Sequence, residues 1–287
     1  PPMTLAAVAK KDFQDAVRSR SFWALSVLFV GLAMLVAYIY IELPGGLMIN
    51  TGSGGARTSD DVGLILFLSS IAGLFISLTA IVVAYRSLAG ERELGSMAVL
   101  LGLPHTRRDV VFGKTLGRTL VLALPIVLGF GTAALYGYLS LNEFSLLDFG
   151  TFIGLAVLLA LAWVSIVVGI SAATGSTSRA SALAVGVFLV FELLWGGISF
   201  GVLWVANGFA LPATTPDWLY LVNTLPPSAA FDAAIMALIP SAVPASGSAA
   251  SEIGAFYGTE WLGLVVLLAW IVVPLAIGYR RFSRADL

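Results

Sequence analysis

The sequence has no cysteine, so disulfides, thiolate metal sites and cysteine nucleophiles are all excluded. A single histidine, His105, leaves no histidine cluster for a metal. Charge is scarce as well: Asp, Glu, Lys and Arg make up 11% of the 287 residues, against roughly 25% in a soluble domain. So few charges do not cover a water-facing surface. What fills the chain is apolar, with 59% hydrophobic residues and a mean hydropathy of +0.98. The chain reads as an all-α integral membrane protein. Its net charge of -1 says little by itself; the placement of the charges says more. No internal repeat is evident, which weakens an inverted-repeat secondary transporter.

Residues 4–20 are too charged to span. Leu5, Ala9, Phe13, Ala16 and Val17 recur at helical spacing, while Lys10, Lys11, Asp12, Asp15 and Arg18 fall largely elsewhere. This pattern predicts an interfacial helix, apolar face in the headgroup boundary and basic residues toward anionic lipid. The first span follows at about 22–41, long enough at 1.5 Å per residue to cross a hydrocarbon core of ~30 Å. A basic flank before an apolar run also describes a signal peptide, but this run is long for one and no A-x-A-like site follows it. It is read as a retained span. The further spans are expected at about 62–85, 115–139, 149–173, 181–206 and 261–279. A short acidic turn with Glu143 and Asp148 joins the third to the fourth.

Six spans place both termini on one side, and fourteen of the fifteen basic residues fall on that side, with only Arg57 opposite. The positive-inside rule makes it the cytoplasmic side, in a multi-pass protein of the cytoplasmic (inner or plasma) membrane. Residues 207–260 then form an extracytoplasmic loop without Lys or Arg. Within it Ser228 is placed to cap a short helix that Pro240 ends, with Phe231, Ile235, Leu238 and Ile239 as its apolar stripe. Twelve residues do not span, so this helix is expected to lie in the outer interface or to cap the bundle.

The densest set of charges lies in residues 86–114, between the second and third spans. Residues 89–103 are expected to extend the second span as a helix. Leu94, Met97, Ala98 and Leu101 would form its apolar face, with Glu91, Arg92 and Glu93 toward water. Pro104 ends that helix. Thr106 opens a short second one with Asp109 three residues on, an approximate capping box, and Gly113 closes it before Lys114 enters the third span. Gly113-Lys114-Thr115 looks like the end of a phosphate-binding loop, but Arg108 stands where its first glycine belongs, and it opens a membrane helix rather than following a strand.

This loop resembles that of the membrane permeases of type-2 ATP-binding-cassette (ABC) transporters. The family pattern is an acidic Glu-x-Glu-x-Gly opening, a Leu-rich turn, a Pro-x-x-Arg step and a final Gly-Lys. The matching residues are Glu91, Glu93 and Gly95, Leu100 and Leu101, Pro104 with Arg107, and Gly113 with Lys114. The resemblance covers the whole chain in topology, with the motif confined to about thirty residues; a hydrophobic Met97-Ala98-Val99 departs from it. It implies a single permease domain over 1–287, with the interfacial helix as the family's connecting helix and 86–114 as the coupling segment docked on an ATPase. The residues assigned to ATPase coupling are Glu91, Glu93, Gly95, Pro104, Thr106, Arg107, Arg108, Asp109, Gly113 and Lys114. The implied partners are a nucleotide-binding ATPase subunit, a second permease copy or homologue forming a dimer, and membrane lipid, with no nucleic acid. No cofactor is expected in this chain; ATP and Mg belong to the ATPase. Members of the family handle lipids, polysaccharides, drugs, peptides and sodium, and one branch serves maturation of a copper enzyme for nitrous oxide reduction.

Glu192 is the one acidic residue deep inside a span. A carboxylate there faces protein or a water-filled cavity, so it either lines a translocation path or sits hydrogen-bonded to a neighbouring helix. Arg118, one turn inside the third span, has a side chain long enough to snorkel to headgroups. Gly197 and Gly201 form a small-xxx-small pattern that permits close helix contact. Pro125 and Pro274 mark kinks, and Trp23 and Trp261 suit an interfacial belt. Two other classes compete with the permease. An ion-coupled secondary transporter would work through Glu192. An intramembrane enzyme lacks a plausible catalytic set, and no catalytic or metal-ligating residue is assigned.

Overall fold

A computed structural model describes residues 5–43, 60–95, 106–212, 214–243, 258–259 and 261–284. Those residues contain helices and turns and no strand, and six helices are long and apolar enough to cross a membrane.

Helix α1 (Leu5–Val17) lies against the third span; an added Cβ on Gly117 would meet Asp12 Cβ at 2.9 Å and the Ala9 carbonyl at 3.1 Å. Its seat is thus partly protein. The first span, α2 (Arg20–Glu42), is capped by Ser19, whose Oγ accepts from the Phe22 amide at 3.1 Å. The second, α3 (Asp60–Ala84), is followed by a tight turn and a short helix, α4 (Ala89–Glu93). The third, α5 (Arg107–Ser140), runs unbroken for 34 residues. Next come α6 (Leu146–Ala173) and α7 (Thr177–Ala206), the latter carrying a π-helical turn at Leu189–Leu194. Two short helices, α8 (Trp218–Thr224) and α9 (Pro227–Leu238), meet at 109°. The last span is α10 (Leu262–Ser283). Both α5 and α10 continue through their prolines, Pro125 and Pro274.

The core centres on α6, the most buried span, and a chain of aromatic rings crosses it. Phe29 of α2 meets Phe130 of α5 at 5.3 Å, Phe130 meets Phe152 of α6 at 4.8 Å, and Phe152 meets Phe231 of α9 at 6.0 Å. Where α6 crosses α10 the backbones nearly touch. An added Cβ on Gly278 would fall 2.6 Å from the Gly169 Cα, and one on Gly169 would fall 2.5 Å from the Pro274 carbonyl. Close packing of this kind substitutes for the hydrophobic force that lipid removes.

The helix expected over 89–103 stops at Glu93, because Gly95 takes a left-handed φ of 69° and its amide turns back to the Arg92 carbonyl. Leu94, expected on the apolar face, is 83% exposed, while Glu91 and Arg92, expected toward water, are half-buried. Met97, Ala98, Leu101, Pro104 and His105 lie outside the described residues. Gly113 does not close a helix. It is buried inside α5, and the short basic helix is simply the first turns of the third span; one glycine costs a helix only about 1 kcal/mol.

The outer helix differs most. Pro226 occupies the N-cap of α9 and Ser228 makes no cap; a proline at the first helical position is already set for the helix. Instead of lying flat, α9 packs among α3, α6 and α10, with Phe231, Ile235 and Ile239 fully buried and Leu238 37% exposed. Its far end reaches Asp148 at the start of α6, through Ser241. At its near end the α8–α9 elbow packs against α7 and α10, with Thr224, Pro226 and Pro227 buried and Leu225 38% exposed. The Trp195 and Trp270 indoles donate to the Val222 and Leu225 carbonyls at 2.9 and 2.8 Å, which satisfies backbone that lipid would leave bare.

Candidate functional site

The turn between α3 and α4 frees backbone groups that the helix ladder no longer pairs. Ser171 of α6 collects them: its Oγ accepts from the amides of Leu88 at 3.1 Å and Ala89 at 3.0 Å and donates to the Tyr85 carbonyl at 2.9 Å. One hydroxyl from the fourth span therefore sets the angle at which α4 leaves the second.

From that fixed start α4 reaches four other spans. Glu91 Oε1 lies 2.7 Å from Lys114 Nζ of α5, and the lysine side chain is only 7% exposed. Arg92 donates to the Thr174 carbonyl at 3.1 Å, and its guanidinium lies 4.8 Å from the centre of the Phe282 ring. Burial, then the nearby Arg107, hold the Arg92 guanidinium below its ordinary pKa. Glu93 accepts from the backbone amide of Thr177 at 2.8 Å and from its hydroxyl at 2.6 Å, which places a carboxylate on the positive N-terminus of α7. These two hydrogen bonds hold the Glu93 carboxyl below its ordinary range.

The start of α5 is fastened in the same way. Thr106 and Asp109 form a reciprocal capping box: the Asp109 amide donates to Thr106 Oγ1 at 3.2 Å, and the Thr106 amide to Asp109 Oδ2 at 3.1 Å. Arg107 then donates to the carbonyls of Phe282 and Ser283, both at 2.8 Å, complementing the negative end of α10. Arg108 donates to the Tyr279 hydroxyl at 3.1 Å. Arg118 does not extend to the surface. It pairs with Asp12 of α1 at 2.9 Å and donates to the Val83 carbonyl at 3.1 Å. Burial pushes the Asp12 carboxyl up, with Arg118 and Lys114 pulling the other way.

The sequence assignment thus collects at one place Glu91, Glu93, Thr106, Arg107, Arg108, Asp109 and Lys114, with Gly95 ending α4 and Gly113 buried in α5. Sequence reasoning missed Arg92, which it placed toward water, Ser171, which holds the turn before α4, and the partners Thr177, Tyr279, Phe282 and Ser283. Hydrogen bonds across 82 to 176 residues leave no local signal.

A second constellation lies midway along α3 and α7. Glu192 sits in the π-helical turn of α7 and accepts a short hydrogen bond from Ser228 of α9. Gly73 of α3 makes room for both, since an added Cβ would stand 2.7 Å from Ser228 Oγ and 3.9 Å from Glu192 Oε2. Asp232, one turn along α9, faces Ser69 of α3 and lies within electrostatic range of Glu192. Glu192 is therefore not alone: the inserted hairpin brings in a carboxylate that the sequence placed in an outer loop. Gly197 and Gly201 have open space before them, with no described atom within 4 Å of an added Cβ.

Six spans, a hairpin inserted from one end and a charged clamp at the other make up the membrane-embedded part of a transporter. The chain belongs to the ABC-2 family of transporter proteins, whose sequence model matches residues 6–287. It is 31% identical to the "Probable ABC transporter permease protein NosY" of Stutzerimonas stutzeri, over 96% of this chain and 97% of that one. It is 30% identical to the protein of the same name in Pseudomonas aeruginosa, with the same coverage. Permeases of this family are transmembrane subunits that work with a separate ATPase subunit and have no ATPase of their own.

Proposed function

We propose that this chain is the permease of an ABC exporter, in which residues 86–114 dock on a cytoplasmic nucleotide-binding subunit. The basic end then faces the cytoplasm, with both termini, and ATP and Mg are held by the ATPase. The observation that carries this reading is the clamp. Glu91, Arg92, Glu93, Arg107 and Arg108 each grip the end of another span. A displacement of the loop on ATP-driven closure of two ATPase subunits therefore pulls on α5, α6, α7 and α10 together. Rigid helices carry that shift to the α8–α9 hairpin at the opposite face. Glu192, with Asp232, lies where such a path would pass.

A second permease copy fits on α7. Only 17% of its most apolar stretch is buried, against 67% for α6. That surface carries the open Gly197 and Gly201 and the exposed Phe200 and Trp204. The ion-coupled alternative gains Asp232 as a second carboxylate, but a family that works through an ATPase argues against it. Purification from the native membrane in mild detergent separates the two readings. A stoichiometric nucleotide-binding subunit and transport that stops on ATP depletion support the permease. Transport that survives ATP depletion and collapses with an ion gradient sinks it.

A further inference from the structure

A cavity of about 640 Å³ opens between α1, α2, α3 and α5 at the basic end, within the ~300–1,000 Å³ range of small-molecule sites. Its wall is graded. Asp12, Asp15, Ser19 and Arg118 line it together with Val82 and Val83, whose carbonyl Arg118 binds, and Leu25 and Leu28 continue it along α2 as apolar surface. Leu25 and Leu28 stand six and nine residues beyond Ser19 along α2, so the wall becomes apolar roughly 9–14 Å deeper. The gradient follows the profile of one bilayer leaflet, from headgroup to acyl chain.

The charges select the headgroup. Arg118 is engaged by Asp12 and the Val83 carbonyl. Asp15, one turn along α1, is exposed on the same wall and has no salt bridge or hydrogen bond among the described residues. The lining itself therefore carries one net negative charge, Asp12 and Asp15 against Arg118, and Asp15 is placed to meet a cation. Ser19 Oγ accepts from the Phe22 amide and keeps its own proton to donate, as a phosphate oxygen requires.

We propose that this cavity binds one ammonium-bearing phospholipid of the cytoplasmic leaflet, of the phosphatidylethanolamine class. Its ammonium meets Asp15, its phosphate meets Ser19, and one acyl chain lies along Leu25 and Leu28. The assignment of leaflet rests on the orientation proposed above; the site itself does not. A lipid held there becomes part of the joint between α1 and the first three spans.

Native mass spectrometry of the purified full-length chain tests this, with phosphatidylethanolamine or phosphatidylglycerol of matched acyl chains added in turn. One phosphatidylethanolamine should be retained in preference to phosphatidylglycerol. Asp15→Asn, on an exposed position, should weaken retention by roughly fivefold, the upper range for one surface charge pair. Ala24→Trp, which fills the cavity, should abolish it, while Val27→Trp, exposed on the same helix but outside the cavity, should not. Equal retention of the two lipids, preference for the anionic one, or retention unaffected by both Asp15→Asn and Ala24→Trp would overturn the proposal. Co-purification of the ATPase, followed in the same preparations, reports separately on the permease reading.

Discussion

Lys114→Met tests whether the charged loop is fastened to the third span. The ammonium lies 2.7 Å from Glu91, in a pair whose side chains are 7% and 25% exposed. Breaking a buried pair costs about 3–5 kcal/mol, because the remaining charge is stranded. Glu91 keeps some contact with water, which screens the charge and brings the cost below that range, to about 2–3 kcal/mol. At ~2–4 °C per kcal/mol for a domain of this order of size, the melting temperature should fall by roughly 5–10 °C. The double variant Lys114→Met/Glu91→Leu removes both members of the pair, and replacing a buried pair by apolar groups is often close to neutral. It should recover most of that loss, giving a coupling of about 2 kcal/mol in a double-mutant cycle. Thermal unfolding of the detergent-purified complex, read by tryptophan fluorescence, measures all four corners. Strictly additive losses would show that the two side chains do not act on each other and would refute a clamp at this point.

Glu93 gives a pH dependence. Its folded pKa is depressed, so its contribution is fully present above the ordinary glutamate value of 4.5 and fades as pH falls through the lower, folded value. Glu93→Gln should therefore lower stability at pH 8, converge with the parent at acid pH where the parent carboxylate is protonated too, and so flatten the acid side of the stability profile; an unchanged acid side would contradict the cap on α7. Gly278→Val forces a branched side chain against the Gly169 backbone and should cost more than the 1–3 kcal/mol typical of overpacking, whereas Gly197→Val meets open space and should leave the permease folded but weaken pairing of copies. Equal loss of folded protein in both would contradict the contrast. Ser228→Ala removes the hydrogen bond that ties the inserted hairpin to Glu192. In this naturally cysteine-free chain, a Leu225→Cys probe should then react faster with a membrane-impermeant maleimide added from outside; an unchanged rate would show that this contact does not hold the elbow shut.

The sequence carried the spans because length and apolarity alone decide them; the first, expected over 22–41, is the helix Arg20–Glu42. It carried the Thr106–Asp109 capping box because both partners lie within one turn. What it did not carry depends on tertiary neighbours. The twelve residues of α9 are too few to span, so nothing local told of their insertion, which relies on Trp195 and Trp270 from two other helices. The break after α3 likewise depends on Ser171, more than eighty residues away. Glycines show the same limit. Gly197 and Gly201 had the visible pattern and face open space, while Gly169 and Gly278, more than a hundred residues apart, make the tight crossing. A glycine's role is set by what stands opposite it.

Leu94, 83% exposed beside the clamp, offers a direct probe of the docking surface. Leu94→Cys, the only thiol in the chain, can be crosslinked in native membranes with a short bifunctional maleimide and the product identified by mass spectrometry. A permease predicts one dominant adduct to a nucleotide-binding ATPase, with a yield that changes when ATP and Mg are added. Absence of any ATPase adduct, with the thiol free and accessible, would contradict the assignment of residues 86–114 as the coupling surface.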